Sequence, residues 1–167
     1  MRITLARKQS VGHAPIVGAP CASVEFALPT TPILRRRYSL ISPIHSNEPT
    51  IIVKDIKGGA ASDFFHRQLK SGDVLEMKGV QNTLWKNEWS AKKKSFVCFA
   101  GGIGINPIYS LIQWGLSPTS PQEHRFKVYY GSRSPRHGLL SEELNMLKAH
   151  DRLELHRLYS ERTNDDE

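Results

Sequence analysis

The chain has 167 residues, 39% of them hydrophobic, and its 23 lysines and arginines against 16 aspartates and glutamates give a formal net charge of +7. This length suits one ordinary domain or two small ones. No apolar run approaches the ~20 residues that a membrane helix requires, so the sequence predicts no membrane span. The basic charge suits a polyanionic ligand, a nucleic acid or an acidic partner.

The N-terminal segment is basic: residues 1–24 contain Arg2, Arg7 and Lys8, and the first acidic residue is Glu25. This composition resembles a mitochondrial presequence and lacks the long apolar stretch of a secretory signal. Residues 1–22 are therefore interpreted either as a presequence, with a mitochondrial location, or as the N-terminal tail of a cytoplasmic protein.

The first half of the chain predicts strands and one helix. Alternating or β-branched patterns predict strands over residues 23–28, 50–56 and 73–78. A short helix follows Gly58-Gly59, with Phe64, Phe65 and Leu69 on one side. These elements together predict a partial antiparallel β-barrel interrupted by one helix, within residues 23–90.

The second half predicts alternating strands and helices. The strands are predicted over residues 95–100, 125–130 and 153–159, with helices near 106–115 and 139–149. Such alternation implies a parallel sheet with crossover helices. Residues 95–167 are therefore predicted to form an α/β module of its own, with a boundary near residue 90.

Cysteine, histidine and lysine patterns exclude two kinds of site. Cys21 and Cys98 form neither a disulfide framework nor a CxxC pattern, and the seven histidines show no HxxxH or HExxH spacing. We therefore predict no protein-bound metal. The lysine run 92–94 has no interleaved aromatic residue, so we interpret it as a solvated linker and disfavour nucleic-acid binding.

A glycine-rich corner follows the strand predicted over 95–100. Gly102 and Gly104 match the first two glycines of the dinucleotide fingerprint, and Pro107 stands where the third glycine belongs. Asn106 is predicted to cap the next helix, with Pro107 in its first turn. Backbone N–H groups and the helix dipole at such a corner attract phosphate. An ordinary glycine turn is the alternative interpretation.

The segment Arg36-Arg37-Tyr38-Ser39 matches the pattern R-x-Y-S. An arginine fork can bind a diphosphate through paired hydrogen bonds, and a tyrosine two residues along a strand lies on the same side, where it can stack on a flat ring. Ser39 lies on the opposite pleat. An exposed basic edge strand is the alternative for this segment taken alone.

These motifs occur in a recognisable order. R-x-Y-S is followed by Ile52-Val53-Lys54, then by Gly59-Ala60-Ala61-Ser62 at a helix start, and finally by the glycine-rich corner. From about Val24 onwards this series resembles the flavin-dependent ferredoxin–NAD(P) reductase superfamily, and within it the oxidoreductase NAD-binding domain-containing group. The resemblance implies an FAD-binding barrel followed by an NAD(P)-binding sheet.

The resemblance also implies roles for individual residues. Arg36 would bind the FAD pyrophosphate, Tyr38 would stack on the isoalloxazine, and Ser39 would hydrogen-bond near the reactive ring nitrogen. The remaining implied FAD residues are Ile52, Val53 and Lys54, through their main chain, and Gly59, Ala60, Ala61 and Ser62, at the helix N-terminus. The residues implied for the nicotinamide nucleotide are Gly102, Ile103, Gly104 and Asn106.

The implied reaction is hydride transfer between NAD(P)H and FAD, with electrons passing to an unknown acceptor. The cofactors carry this chemistry, so we predict no catalytic side chain. In the segment Ser160-Glu161-Arg162, Glu161 would repel the 2′-phosphate of NADPH and could accept from a ribose hydroxyl, whereas Arg162 would attract the phosphate. We expect a preference for NADH. Early barrel strands and later sheet strands of the family lack counterparts, so both modules are expected to be truncated and the chain to be a poor catalyst. The alternatives are a truncated, non-catalytic nucleotide-binding module and a basic nucleic-acid-binding protein.

Overall fold

A computed structural model describes residues 1–5, 19–43, 46, 48–82, 84–118, 120 and 122–161 of the chain. The chain divides into two compact units, Met1–Trp85 and Lys86–Glu167. The first contains antiparallel sheets and the second a parallel sheet, in the order that the sequence predicts. No closed barrel forms within the described ranges.

Antiparallel strands build the first unit. They are β1 (Arg2–Thr4), β2 (Ser23–Leu28), β3 (Leu34–Ser39), β4 (Thr50–Ile52) and β5 (Glu76–Gln81). One sheet has the order β3-β2-β5, and β1 pairs with β4 in another. A bridge between Leu40 and Ile51 links the segment after β3 to β4.

The predicted strand over 23–28 is confirmed, and its alternation determines the core of this unit. Val24, Phe26 and Leu28 are completely buried on one face of β2. Phe26 lies opposite Arg36, and Val24 lies opposite Tyr38, in the β2–β3 register. Because directly opposed residues of an antiparallel pair share a face, Arg36 and Tyr38 lie on the core-facing side of β3.

The helix predicted after Gly58-Gly59 is confirmed as α1 (Ala60–Asp63), which continues into a π-helical turn, Phe64–Gln68. Gly58 has a φ of +75°, which glycine adopts without the steric cost that a side chain adds. Phe64 and Phe65 are buried against the β2 core, and Leu69 packs partly buried beside them.

Two predicted strand boundaries are wrong. The strand predicted over 50–56 ends at Ile52, because Ile56 belongs to a turn: its carbonyl accepts the Gly59 N–H and its N–H donates to Ser62 Oγ. The strand predicted over 73–78 begins at Glu76 instead. Asp73 closes a turn, its carboxylate accepting the Lys70 N–H at 2.8 Å.

Strand β1 was not predicted from sequence. The Met1 ammonium donates to the Val53 carbonyl at 2.9 Å, and the Val53 N–H donates to the Met1 carbonyl at 2.9 Å. The N-terminus is therefore anchored beside β4. Residues 6–18, most of the proposed presequence, lie outside the described residues, so that interpretation stays a prediction.

The second unit alternates strands and helices as predicted. Its elements are α2 (Glu88–Ala91), β6 (Ser95–Gly101), a 3₁₀ turn (Gly102–Gly104), α3 (Ile105–Leu116), β7 (Arg125–Ser132), a 3₁₀ turn (Pro135–His137), α4 (Ser141–Lys148) and β8 (Leu153–Tyr159). The strands form a parallel sheet in the order β6-β7-β8. The short helix α2 was not predicted.

Helix α3 packs closely on one face of this sheet. A Cβ atom added at Gly115 would clash with the Phe126 ring, so glycine is required there for the close approach. Phe126, Val128 and Tyr130 are buried on the same face of β7. The alternate residues of the sheet lie on the opposite face.

A buried histidine joins the starts of β6 and β7. His124 is fully buried, its Nδ1 accepts the Lys94 N–H at 3.2 Å, and its ring packs on Trp114. Its Nε2 has no hydrogen-bond partner among the described residues. Burial, and then the nearby positive charge of Arg152, lowers the pKa of His124 below its ordinary value.

Stability of the second unit is therefore expected to depend on the neutral form of His124. The unfolded chain binds this proton more readily, so the contribution is complete above the ordinary histidine pKa of about 6.5 and is lost as pH falls below it. Denaturant unfolding at a series of pH values should give a shallower acid-side slope for His124→Asn, by up to about one bound proton. His150→Asn, at an exposed position, is the control. Equal slopes for wild type and His124→Asn would contradict this prediction.

Candidate functional site

Strand β3 carries a guanidinium whose charge is not balanced by a carboxylate in the described structure. Arg35 and Arg37 both approach Glu25, at 3.8 and 3.6 Å, on the face away from the core. Arg36 lies on the other face, and its Nη1 donates to the Arg35 carbonyl at 2.8 Å. No ion pair of Arg36 occurs within the described ranges, so its charge is left to interact with an anion.

Tyr38 lies next to Arg36 on the same face of β3. Its ring is half-buried and contacts Phe65 edge-on at 5.2 Å and Phe26 at 6.1 Å between ring centroids. Burial raises the pKa of the Tyr38 hydroxyl, and the Arg36 charge partly opposes this. A flat ring held beside an unbalanced guanidinium suits a ligand that combines a planar group with an anionic one.

Ser39 lies on the opposite face from Tyr38, as predicted from the alternation. It is half-buried and lies directly opposite Ser23 of β2. The structure therefore brings Arg36 and Tyr38 together on one face of β3 and places Ser39 on the other face.

The predicted main-chain segment 52–54 begins at the last residue of β4, and the backbone groups at its centre already have hydrogen-bond partners. Ile52 and Val53 are buried, whereas Lys54 is exposed. The Val53 carbonyl accepts from both the Met1 ammonium and His66 Nε2, and its N–H is used by Met1. Val53 thus has no spare main-chain donor in this structure.

The start of α1 retains donors through its backbone rather than through its serine. Ser62 is buried, and its hydroxyl is engaged with Ile56 and Gly59 in hydrogen bonds of 2.9–3.2 Å. The Gly59 N–H donates to the Ile56 carbonyl. First-turn N–H groups of a helix lack intrahelical partners, so Ala60, Ala61 and Ser62 contribute their backbone amides as available donors.

The glycine-rich corner forms the junction between β6 and α3 in the second unit. Gly102 has a φ of +50°, which favours glycine. Open space surrounds the positions where a Cβ would lie at Gly102 and Gly104. Ile103 is exposed between them. This corner presents bare backbone directly before a twelve-residue helix.

The predicted capping role of Asn106 is wrong. Helix α3 begins at Ile105 with Gly104 as its N-cap, because the chain already turns helically over Gly102–Gly104. Asn106 lies inside the first turn and is only 3% exposed. Its Oδ1 is buried without a hydrogen-bond partner among the described residues. A buried acceptor without a donor is costly, so this oxygen suits a ligand that supplies an N–H or O–H.

The predicted residues divide between the two units. Those implied for FAD, from Arg36 to Ser62, lie in Met1–Trp85, and those from Gly102 to Asn106 lie in Lys86–Glu167. Sequence reasoning missed Glu25 as the residue that distinguishes Arg36 from its two neighbours. Strand alternation could have identified Glu25, because it places Glu25 and Phe26 on opposite faces of β2.

An open cavity of about 910 Å³ in the first unit has a different lining. It lies between β1, the segment 69–75 and the side chains of Phe26, Phe65 and Met77. None of the predicted cofactor residues lines it, so its size does not identify it as the functional site. Within the described ranges, no three metal-ligating side chains cluster, and no helix is long and apolar enough to cross a membrane.

Known proteins resemble this chain in sequence and in fold. The family model for an oxidoreductase NAD-binding domain matches residues 98–167, which include the glycine-rich corner. With this match, the chain resembles the ferredoxin–NAD(P) reductase superfamily. FAD and NAD(P)H are the cofactors of this superfamily.

Relatives match both units. A flavohemoprotein of Candida norvegensis is 34% identical over 62% of this chain and 25% of its own length. NADH-cytochrome b5 reductase 2 of Candida albicans is 28% identical over 84% of this chain and 46% of its own. The chain thus spans less than half the length of these curated relatives.

Among solved structures, ferredoxin-NADP+ reductase from Plasmodium falciparum is similar with a TM-score of 0.77. It covers 99% of this chain, the chain covers 70% of it, and the sequences are 20% identical. At this identity the likeness shows the fold alone.

Proposed function

We propose that the chain binds FAD through its first unit and a nicotinamide dinucleotide through its second. It transfers hydride between these cofactors and passes electrons to an acceptor that remains to be identified. The observation that carries this proposal is the arginine row of β3. Glu25 pairs with Arg35 and Arg37, and no described carboxylate pairs with Arg36, which lies beside Tyr38 and can bind an anionic ligand.

The residues of the first unit fit FAD. The Arg36 fork would bind the pyrophosphate, where charge-assisted paired hydrogen bonds are stronger than neutral ones. The amides of Ala60, Ala61 and Ser62 would add donors at the start of α1. Tyr38 would orient the isoalloxazine ring, because Phe26 and Phe65 hold its own ring in position.

The residues of the second unit fit a nicotinamide dinucleotide. Gly102 and Gly104 leave room for a phosphate to approach the backbone before α3. Asn106 Oδ1 would accept from a hydroxyl or amide of the ligand, which satisfies its unpaired oxygen. When bound, FAD supplies the hydride acceptor and the route for electrons to leave, while this chain binds and orients.

The test is reconstitution of the full chain with FAD, followed by anaerobic addition of NADH. We expect the protein to keep a yellow colour through gel filtration, to release FAD on denaturation, and to lose flavin absorbance when NADH is added. Colour without bleaching would support a nucleotide-binding module without electron transfer. Failure to retain any FAD would contradict the proposal.

We further propose a preference for NADH that depends on Glu161. Its carboxylate lies 3.4 Å from Arg133 Nε, so it balances a charge that would otherwise attract a 2′-phosphate. Glu161→Arg should shift the ratio of NADH to NADPH efficiency towards NADPH by up to about fivefold, the scale of one exposed ion pair of ~1 kcal/mol. Arg162 lies outside the described residues.

Reduction rates with each dinucleotide measure this shift. Glu142→Arg, which makes the same charge change on α4, is the control and should leave the ratio unchanged. An unchanged ratio in Glu161→Arg would remove this position from dinucleotide selection without affecting the assignment of FAD.

A further inference from the structure

An exposed loop, residues 55–58, connects two groups of residues that the resemblance implies for FAD. The main-chain segment 52–54 precedes the loop, and Gly59–Ser62 follows it. All the loop residues are exposed, and Gly58 has a φ of +75°. Because burial does not hold this loop, its conformation depends on hydrogen bonds and ion pairs with neighbouring residues. Those partners therefore determine how the two groups are placed relative to each other.

Two neighbouring side chains of the π-helical turn bind this part of the chain. Arg67 forms a fork with Asp55: its Nη1 donates to Oδ1 at 3.3 Å, and its Nη2 donates to Oδ2 at 2.9 Å. His66 donates from Nε2 to the Val53 carbonyl at 3.0 Å, two residues before Asp55. The π-helical turn is therefore joined to the loop and to the segment that precedes it.

The Arg67 guanidinium is also held by a second carboxylate. Asp63 lies one helical turn earlier, with its Oδ1 3.3 Å from Arg67 Nη1. A fork that belongs to a network of charges stabilises more than an isolated exposed ion pair. The hydrogen bonds from Arg67 lower the pKa of Asp55 below its ordinary value, so Asp55 is ionised at neutral pH. π-Helical turns such as Phe64–Gln68 are rare and frequently occur at functional sites.

We propose that Arg67 is a positioning residue for FAD, acting through Asp55. The fork holds the loop 55–58 in one conformation and so fixes the main chain at 52–54 relative to the amides at 60–62. A site that already has its binding conformation avoids the cost of ordering a loop when the ligand binds. This inference rests on the FAD site proposed above, and Arg67 contributes to it through the loop rather than by contact with the cofactor.

The negative charge of Asp55 separates this proposal from a simple electrostatic effect. FAD carries a negatively charged diphosphate, so removal of a nearby carboxylate should strengthen FAD binding if charge alone matters. If the loop must be held by the fork, the same removal should weaken FAD binding. Asp55→Ala therefore gives opposite results under the two explanations.

Fluorescence titration of FAD with the apo chain measures the effect on binding. We expect Asp55→Ala to raise the dissociation constant about three- to fivefold, the upper range for an exposed ion pair. Arg67→Lys keeps the positive charge but not the planar fork, and it should raise the dissociation constant as well. Glu76→Ala removes the same charge as Asp55→Ala from an exposed position on β5. It is the matched control and should not weaken FAD binding.

Amide hydrogen exchange of the apo chain measures the loop itself, without any cofactor. The Gly59 N–H donates to the Ile56 carbonyl at 2.9 Å, and the Ile56 N–H donates to Ser62 Oγ at 3.2 Å. Both hydrogen bonds close the loop, so these two amides report its opening. They should exchange about three- to fivefold faster in Asp55→Ala and in Arg67→Lys than in wild type. Glu76→Ala should leave their exchange unchanged.

Two results would overturn the proposal. One is FAD binding by Asp55→Ala that equals or exceeds that of wild type, and the other is weaker binding with unchanged exchange of the Ile56 and Gly59 amides. Far-UV circular dichroism that matches wild type checks that each variant folds. Failure of the wild-type chain to bind FAD would contradict the proposed function and this inference together, whereas the two results above contradict this inference alone.

Discussion

Replacing Arg36 with alanine is expected to weaken FAD binding by about 2–4 kcal/mol, the scale of losing one partner of a close charge pair at an interface. The reason lies in the charge balance of β3. Glu25 lies near Arg35 and Arg37 and on the face away from Arg36, so no described carboxylate competes with a diphosphate for the Arg36 guanidinium. Its removal leaves the diphosphate charge poorly compensated.

Fluorescence titration of FAD with the apo chain measures this loss. Arg35→Ala is the matched control, because it removes the same charge from the same strand but from the opposite face. It should change FAD affinity by less than about 1 kcal/mol, as expected of an exposed charge. Equal effects of the two substitutions would indicate a non-specific contribution of net charge and would contradict the assigned role of Arg36.

Replacing Phe65 with alanine is expected to lower the free energy of unfolding of the first unit by about 3–5 kcal/mol. Phe65 is 1% exposed and makes edge-on ring contacts with Phe26 at 5.9 Å, Tyr38 at 5.2 Å and Phe64 at 5.6 Å. Its removal leaves a cavity beneath the predicted flavin-facing tyrosine. The substitution therefore links core stability to the position of Tyr38.

Urea unfolding followed by circular dichroism measures the change. Val74→Ala, at a position 70% exposed in the same unit, is the control and should stay within about 0.5 kcal/mol of wild type. A loss below about 1 kcal/mol in Phe65→Ala would show that neighbouring side chains collapse into the space and that Phe65 does not hold Tyr38 in place.

Local patterns in the sequence predicted strand bounds correctly where burial of one apolar face determines the strand. The alternation of Ser23–Leu28 places three apolar side chains on one face, and the strand forms with these bounds. Leu153–Tyr159 likewise forms as predicted. Patterns misled at 50–56 and 73–78, because side chains distant by several residues close turns there: Ser62 bonds to Ile56, and Asp73 bonds to Lys70. Such hydrogen bonds override β-propensity.

The candidate site divides in the same way. The motifs were enough to predict its residue types and their order along the chain, from Arg36 to Asn106. The motifs could not predict whether each residue has a free donor or acceptor, because that depends on partners elsewhere in the fold. Val53 loses its backbone donor to Met1, 52 positions earlier, and Ser62 uses its hydroxyl within its own turn. The assigned contacts with FAD and NAD(P)H stay predictions.

The sequence by itself determined the order of modules, an antiparallel one before a parallel α/β one, because hydrophobic periodicity is a local property of each segment. The resemblance to the ferredoxin–NAD(P) reductase superfamily followed from the order of the motifs. Among the described residues, tertiary structure alone decided that Arg36 escapes the carboxylate that pairs with its neighbours. It also decided that Asn106 is buried, with an oxygen that no described residue contacts through a hydrogen bond, rather than capping α3. Each of these depends on strand register and burial, which no local pattern specifies.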